Sequence, residues 1–310
     1  MSQKTWIAYL FLFPALLFLG TFFAYPLLNT VWLSLQEYNI FNPPVFVGLS
    51  NFQRAIGDEL FWRVLANTLL YALMVVPSLV VLSFFLALLV NASLRGIRFF
   101  RTVYYIPVVT SIVVAGITWK WIYNTDGLLN ALLRSFGMKG PSWLADSTGI
   151  LNVLIGGLGL AGSRWLSEPA VALFSVAMVT VWKASGYYMI IYLAGLQSVP
   201  KELEEAARVD GAGWWNVVRH VTIPSVRPYA LVVGIVATIG ALRTFGEVYV
   251  MTSGGPFNRT NVLAYYIYTL GFRYLQLGYA SAVSLILLIV ILVFSVLNFK
   301  LIGGSAPATE

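Results

Sequence analysis

Apolar residues occupy this chain in long blocks, and six blocks reach the roughly 20 residues that a helix needs to cross a bilayer. They run from Trp6 to Leu35, Val64 to Leu89, Thr102 to Ile122, Ala170 to Leu196, Tyr229 to Met251 and Tyr279 to Phe299. Proline interrupts three of them: Pro14 or Pro26 should bend the first, while Pro77 lies within the second and Pro107 within the third. A shorter apolar run from Ile150 to Leu160 is broken by Gly156, Gly157 and Gly159, and reads as a re-entrant or interfacial piece. The pattern predicts an all-α polytopic membrane protein of six transmembrane helices, forming a single domain over residues 1–310.

Composition agrees. Of 310 residues, 59% are hydrophobic and only 10% charged, against about 25% charged in soluble domains. The net charge of +7 does not signal nucleic acid, because the basic residues are scattered between apolar blocks. With no cysteine and one histidine, His220, the chain holds neither a disulfide framework nor a multi-histidine metal site. Lys4 before the first apolar block resembles a signal peptide. No small-x-small cleavage site closes that block, so we expect an uncleaved first span.

Six spans put both termini on one side. Arg95, Arg98 and Arg101 crowd one short loop; Lys201, Arg208, Arg219 and Arg227 fill another, and Lys4 and Lys300 flank the ends. This basic density predicts that these segments and both termini are cytoplasmic. The opposite side also carries Arg54, Arg63, Arg134, Lys139, Arg164, Arg259 and Arg273.

The loop at about residues 200–224 has its own chemistry. Pro200 and the carboxylates after it favour a helix start, since negative charge suits the positive end of a helix dipole. Gly211 and Gly213 allow a sharp turn, Trp214 to Val221 can form a second helix, and Pro224 ends it. The expected product is a helix–turn–helix elbow suited to a cleft on another protein. An amphipathic connector with Trp214 and Trp215 at headgroup level is the competing reading.

Glu205-Ala206-Ala207, Asp210-Gly211-Ala212 and Ile223-Pro224 resemble the EAA loop of permease subunits of bacterial ABC importers. Gly48 to Phe52, Phe61-Trp62 with Asn67-Thr68, Thr252 to Pro256, Tyr266 to Tyr268 and Gly278 to Ala280 are similar to the sugar-permease branch, in family order. The resemblance implies the type I ABC importer permease fold. It further implies that Glu205, Ala206, Ala207, Asp210, Gly211, Gly213, Ile223 and Pro224 form the docking element for an ATPase subunit. The chain has no Gly-x-x-x-x-Gly-Lys-Ser/Thr loop and binds no cofactor of its own on this reading, so ATP and Mg would be held by the partner. Expected partners are two ATPase subunits, a second permease, an extracytoplasmic solute-binding protein, the bilayer and a sugar-type solute, in a bacterial inner membrane. A disaccharide, an oligosaccharide or a polyol phosphate would all fit.

Charges inside spans are costly and mark function by default. Lys183 lies in the fourth span; Arg243 and Glu247 lie in the fifth, four apart on one expected helix face and able to pair with each other. Trp182, Lys183, Gly186 and Tyr187 add aromatic faces and polarity, so Trp182, Lys183, Tyr187, Arg243 and Glu247 are the candidate solute pathway. Lys120, between Trp119 and Trp121, reads as a snorkelling residue. An ion-coupled secondary transporter with a site at Glu247 and Lys183 is the alternative; an intramembrane enzyme lacks a catalytic constellation.

Overall fold

The computed structural model describes residues 3–92, 95–147, 149 and 170–303, so the apolar run at 150–160 lies outside the described residues. Among the described residues four helices are long and apolar enough to cross a membrane, and two further spans result if each of two bent helix pairs is counted as one. The described residues fall into two compact units, residues 1–62 with 266–289, and 63–265 with the remainder.

In the first unit, helix α1 (Gln3–Leu19) passes unbroken through Pro14. A π-turn at Gly20–Ala24 then carries it into α2 (Tyr25–Ser34). The wider turn falls immediately before Pro26, which has no N–H to give to the preceding turn. This span is apolar all round, and none of its most apolar window is buried within the chain. A helix with no polar face and no covered face is one whose solvent is lipid or another subunit.

An element that apolar-block reading missed follows. Strands β1 (Gln36–Asn39) and β2 (Asn42–Phe46) pair antiparallel. The Asn39 side chain closes their turn by accepting from the amides of Phe41 (3.1 Å) and Asn42 (2.8 Å). The hairpin is too short and too rich in Pro and Asn to register as an alternating strand pattern. Helix α3 (Ser50–Gly57) is tied back to it: Asn51 Nδ2 donates to the carbonyls of Ser34 (2.9 Å) and Gln36 (2.8 Å). Gly278 packs against that same Gln36 carbonyl, where a Cβ would collide with backbone.

A polar clasp completes this unit. Asp58 Oδ2 accepts from the phenols of Tyr266 (2.8 Å) and Tyr279 (3.0 Å), and Oδ1 accepts from the Leu60 amide (2.8 Å). Arg54 lies 4.3 Å from the centre of the Tyr279 ring and donates to Gln276 (2.9 Å). Burial raises the Asp58 carboxyl pKa, but the hydrogen bonds from Tyr266 and Tyr279, with two from backbone amides, outweigh it and hold the carboxyl below its ordinary 3.8.

In the second unit, α4 (Glu59–Asn91) continues straight through Pro77. The third span is broken: α5 (Ile97–Val109) and α6 (Ile112–Ile122) meet at 98°, two residues beyond Pro107 rather than at it. After the short α7 (Leu128–Ser135), α8 (Val171–Gln197) is a straight, largely buried span. Two elbow helices follow, α9 (Lys201–Val209) and α10 (Trp214–Ser225). The fifth block, expected as one helix from Tyr229 to Met251, is instead α11 (Arg227–Leu242), a break, and α12 (Gly246–Met251). Helix α13 (Leu263–Tyr268) and the last span α14 (Leu277–Asn298) belong partly to each unit.

Small residues set the packing of this unit, as expected where lipid supplies no hydrophobic drive between helices. Gly186 on α8 abuts the Tyr104 carbonyl of α5, and Gly195 lies against the Tyr229 ring of α11. The loop after α12 is held from α4: Asn67 Nδ2 donates to the carbonyls of Asn258 (2.9 Å) and Asn261 (3.0 Å), while Thr68 Oγ1 accepts from the Leu263 amide (2.9 Å). That loop contains left-handed Ser253, Phe257 and Asn258, costly conformations outside glycine that persist where such ties over-determine the backbone.

The Asp58 clasp gives a pH dependence. The folded carboxyl has the lower pKa, so its contribution is complete above the unfolded value and is lost as pH falls through the folded one, below about pH 4. The unfolding temperature of detergent-solubilised protein should therefore fall between pH 5 and pH 3. Asp58→Asn should flatten that slope, and an equal slope in the variant would remove Asp58 as its cause.

Candidate functional site

Two places concentrate polar chemistry in the second unit: the elbow and the broken spans. At the elbow, Glu202 and Glu204 sit in the first turn of α9 and Arg208 in its last, each matched to the helix dipole. The end of α9 is a Schellman cap, with the Gly211 amide donating to Arg208 (3.0 Å) and the Ala212 amide to Ala207 (2.9 Å). Gly211, at φ +82°, supplies the left-handed residue this closure requires. Gly213, expected to share that role, is extended at φ −67°, ψ 163° and starts α10. The turn thus depends on one glycine.

Pro224 does not end the second helix. It lies in the last segment of α10, preceded by a π-turn at Val218–Thr222 as Pro26 is by its own, and the chain bends by 68° into α11 one residue later, after Ser225. Glu205, Ala206, Asp210, Gly211, Gly213, Ile223 and Pro224 are exposed and Ala207 is half-buried. Among them stand bare apolar side chains, with Val209 87% and Trp214 62% exposed. Behind the elbow a groove of about 920 Å³ has Phe85, Leu88 and Val217 as an apolar floor, with Lys201, Glu205 and Arg208 at its edge.

The second place lies where the two broken spans meet. The broken end of α5 is closed by two side chains and an amide: Thr110 Oγ1 donates to the Ile106 carbonyl (3.0 Å), the Thr110 amide to Pro107 (3.3 Å) and Lys183 Nζ to Val108 (3.2 Å). Lys183 therefore caps a helix C-terminus, the end at which a cation is favoured. It stands 12 residues from Val171 and 14 from Gln197, about 18 and 21 Å along α8, near mid-span. The second break, Arg243 to Phe245, adjoins the first, since a Cβ on Gly246 would stand 3.4 Å from Ile112. Beyond the breaks, α6 and α12 pack through Gly116, where a Cβ would come within 2.7 Å of Val250.

A chain of hydroxyls links this junction to the core. Tyr71 Oη is 2.5 Å from Thr180 Oγ1 and 3.3 Å from Thr244 Oγ1, which is 3.2 Å from Glu247 Oε2. Thr244 Oγ1 is the donor to both the Tyr71 phenol oxygen and Glu247 Oε2, so its one proton is shared between them. Tyr71 is fully buried, and Thr180 lies one turn before Lys183.

The pairing open to Arg243 and Glu247 on a continuous helix is not formed. The break puts Arg243 at the cap of α11 and Glu247 in the first turn of α12, so the four-residue spacing no longer means one face. Glu247 is half-buried on Thr244; Arg243 is exposed, and among the described residues its guanidinium has no ion pair or hydrogen bond. Trp182 is 40% exposed and packs edge-on to Trp119 at 5.4 Å. Tyr187 is exposed too, whereas its neighbour Tyr188 is buried and points its hydroxyl towards Gly240 of α11. The structure thus brings Lys183, Glu247 and the Arg243 break together, and puts Gly186 into helix packing instead. Tyr71, Thr180 and Thr244 were missed, because a lone hydroxyl in an apolar block carries no signal of its own.

Broken spans gathered around a polar junction, with a capped elbow at one end, define a membrane permease. The chain belongs to the family of binding-protein-dependent transport system inner membrane components, whose model matches residues 59–302. It is 34% identical to a probable ABC transporter permease protein, YurN, of Bacillus subtilis, over 96% of this chain and 97% of that protein. It is also 34% identical to the lactose transport system permease protein LacF of Rhizobium radiobacter, over 94% and 92% of the two chains. In fold it matches the crystal structure of a bacterial ABC transporter involved in the import of the acidic polysaccharide alginate, with a TM-score of 0.73, 98% of each chain covered and 23% identity. The ion-coupled carrier alternative falls away.

The Gly186 contact is testable. Gly186→Leu drives a side chain into the backbone carbonyl of Tyr104, which has no flexible end to yield. A loss of about 1–3 kcal/mol is expected, read as a lower unfolding temperature and lower yield of assembled protein, whereas Gly240→Ala, with 3.7 Å of room to Tyr188, should be neutral.

Proposed function

We propose that this chain is one of two permease subunits of an ABC importer for carbohydrates, and that with the second it encloses the pathway for a sugar delivered by an external binding protein. Family membership and a relative named for lactose transport support the class of solute. The observation that carries the mechanism is the elbow: a short helix closed by a Schellman cap, presenting Glu205, Ala206, Asp210 and Gly211 to solvent. On this reading it docks an ATPase subunit, which binds ATP and Mg, and both termini and the elbow face the cytosol. Exposed Val209 and Trp214 give the contact an apolar patch that association would cover.

The solute pathway then runs past the junction of broken spans, where Trp182 and Tyr187 offer exposed aromatic faces and Arg243 and Glu247 offer donors and acceptors. Lys183 caps the end of α5. Broken helices suit this role because their free ends face a cavity with fixed polarity and can rearrange without unravelling a whole span.

The experiment is to assemble the complex with Gly211→Val and Gly213→Pro variants, then measure co-purified ATPase subunit and solute-stimulated ATP hydrolysis in proteoliposomes. A β-branched residue at φ +82° costs roughly 1–2 kcal/mol or more, so Gly211→Val should lose most coupling while the spans stay inserted. Gly213→Pro, already near proline's own φ, should keep most of it. Wild-type coupling in Gly211→Val would sink the docking role. Sidedness has its own check: a cysteine at Gly213 should resist an impermeant thiol reagent added outside intact cells.

A further inference from the structure

Three charged side chains, Lys183, Arg243 and Glu247, lie at the junction of the broken spans, and the structure uses two of them. Lys183 is spent on the Val108 carbonyl, and the Glu247 carboxylate is turned to Thr244. Arg243 is different: it is exposed, makes no ion pair within 4 Å among the described residues, and sits where the helix has ended. With Lys183 and Arg243 at +2 against Glu247 at −1, the junction carries a net +1.

Position argues against simple escape to the lipid headgroups. Thr244, the next residue, is buried and joined through Tyr71 to Thr180, nine residues or about 13 Å inside the Val171 end of α8. The junction therefore lies well below that end of the span. Around it are exposed aromatic surfaces of the kind that stack on sugar rings: Trp182 against Trp119, and Tyr249, 41% exposed, stacked on Phe245 at 5.3 Å.

We infer that Arg243 is the recognition site for an anionic group, a carboxylate or a phosphate, on the transported sugar, which makes the solute an acidic or phosphorylated carbohydrate. The inference rests on the carbohydrate-pathway reading above and narrows it. The planar fork of arginine offers parallel donors that match either oxyanion, and an exposed cation at a helix break can be reached without unwinding a span. Glu247 does not oppose the anion directly, because its Oε2 faces the Thr244 hydroxyl.

The test uses the full complex in proteoliposomes with its binding protein, and four labelled probes: digalacturonate, glucose 1-phosphate, cellobiose and lactose. ATP-driven uptake should favour digalacturonate or glucose 1-phosphate, and which of the two is taken identifies the oxyanion. Arg243→Gln should raise the KM for that probe about 10- to 100-fold, the scale of a lost charge-assisted hydrogen bond, and Arg243→Lys should recover part of the loss. Preferential uptake of cellobiose or lactose would overturn the inference, as would unchanged acidic uptake in Arg243→Gln. Loss of the second permease from the purified Arg243→Gln complex would assign the guanidinium to an ion pair between subunits and overturn it as well. Uptake of none of the four probes by the wild-type complex would instead remove the carbohydrate reading on which it stands.

Discussion

Backbone carbonyls and amides in hydrocarbon have no water to turn to, and each one left unpaired costs several kcal/mol. An unbroken helix settles the matter internally, so every interruption of a span has to be closed by something else. Two such interruptions lie among the described residues. At the first break the carbonyls of Ile106, Pro107 and Val108 are taken by a threonine hydroxyl, a threonine amide and the Lys183 ammonium. At the second, Thr244 turns its hydroxyl to Glu247 and is anchored through Tyr71 to α8. Breaking a helix at mid-membrane thus requires polar side chains at mid-membrane. The chemistry available to a solute is in part what is left over from that requirement.

The same accounting explains what could be foreseen from the residues. Long apolar blocks need only be long, and α4, α8 and α14 lie where the blocks lie. The elbow was legible because its signals are local: carboxylates after Pro200, and glycine after Asp210. Even there, which glycine bears the left-handed turn was not, since Gly211 and Gly213 look alike until the Ala212 amide is seen returning to Ala207. The breaks were not legible at all. Nothing about Arg243-Thr244-Phe245 forbids a helix, and Pro107 drew attention to a point two residues short of the real bend. Arg243 and Glu247 are costly wherever they lie in a span, but a four-residue spacing puts them on one face only if the helix is continuous, and here it is not.

The tertiary reasons are specific. The continuation of the fifth span is set by α6, whose Gly116 admits Val250, and by Ile112 meeting Gly246. These are contacts between residues more than 130 positions apart, and no periodicity within either block records them. The hairpin at residues 36–46 shows the opposite limit, where a structure only four or five residues long on each side depends on one asparagine turn and on Asn51 reaching back to it.

Helix α11 joins the elbow to the second break. Its 16 residues form a rod about 24 Å long, bent by 68° from α10 at one end and finishing at Arg243 at the other. A rod of that length turns small angles into useful distances. A tilt of roughly five degrees about its elbow end sweeps the far end through about 2 Å, more than the slack in a hydrogen bond between Thr244 and Tyr71. The amplitude demanded at the elbow end is therefore modest, and the stiffness of α11 becomes the quantity that sets how faithfully a displacement there is delivered.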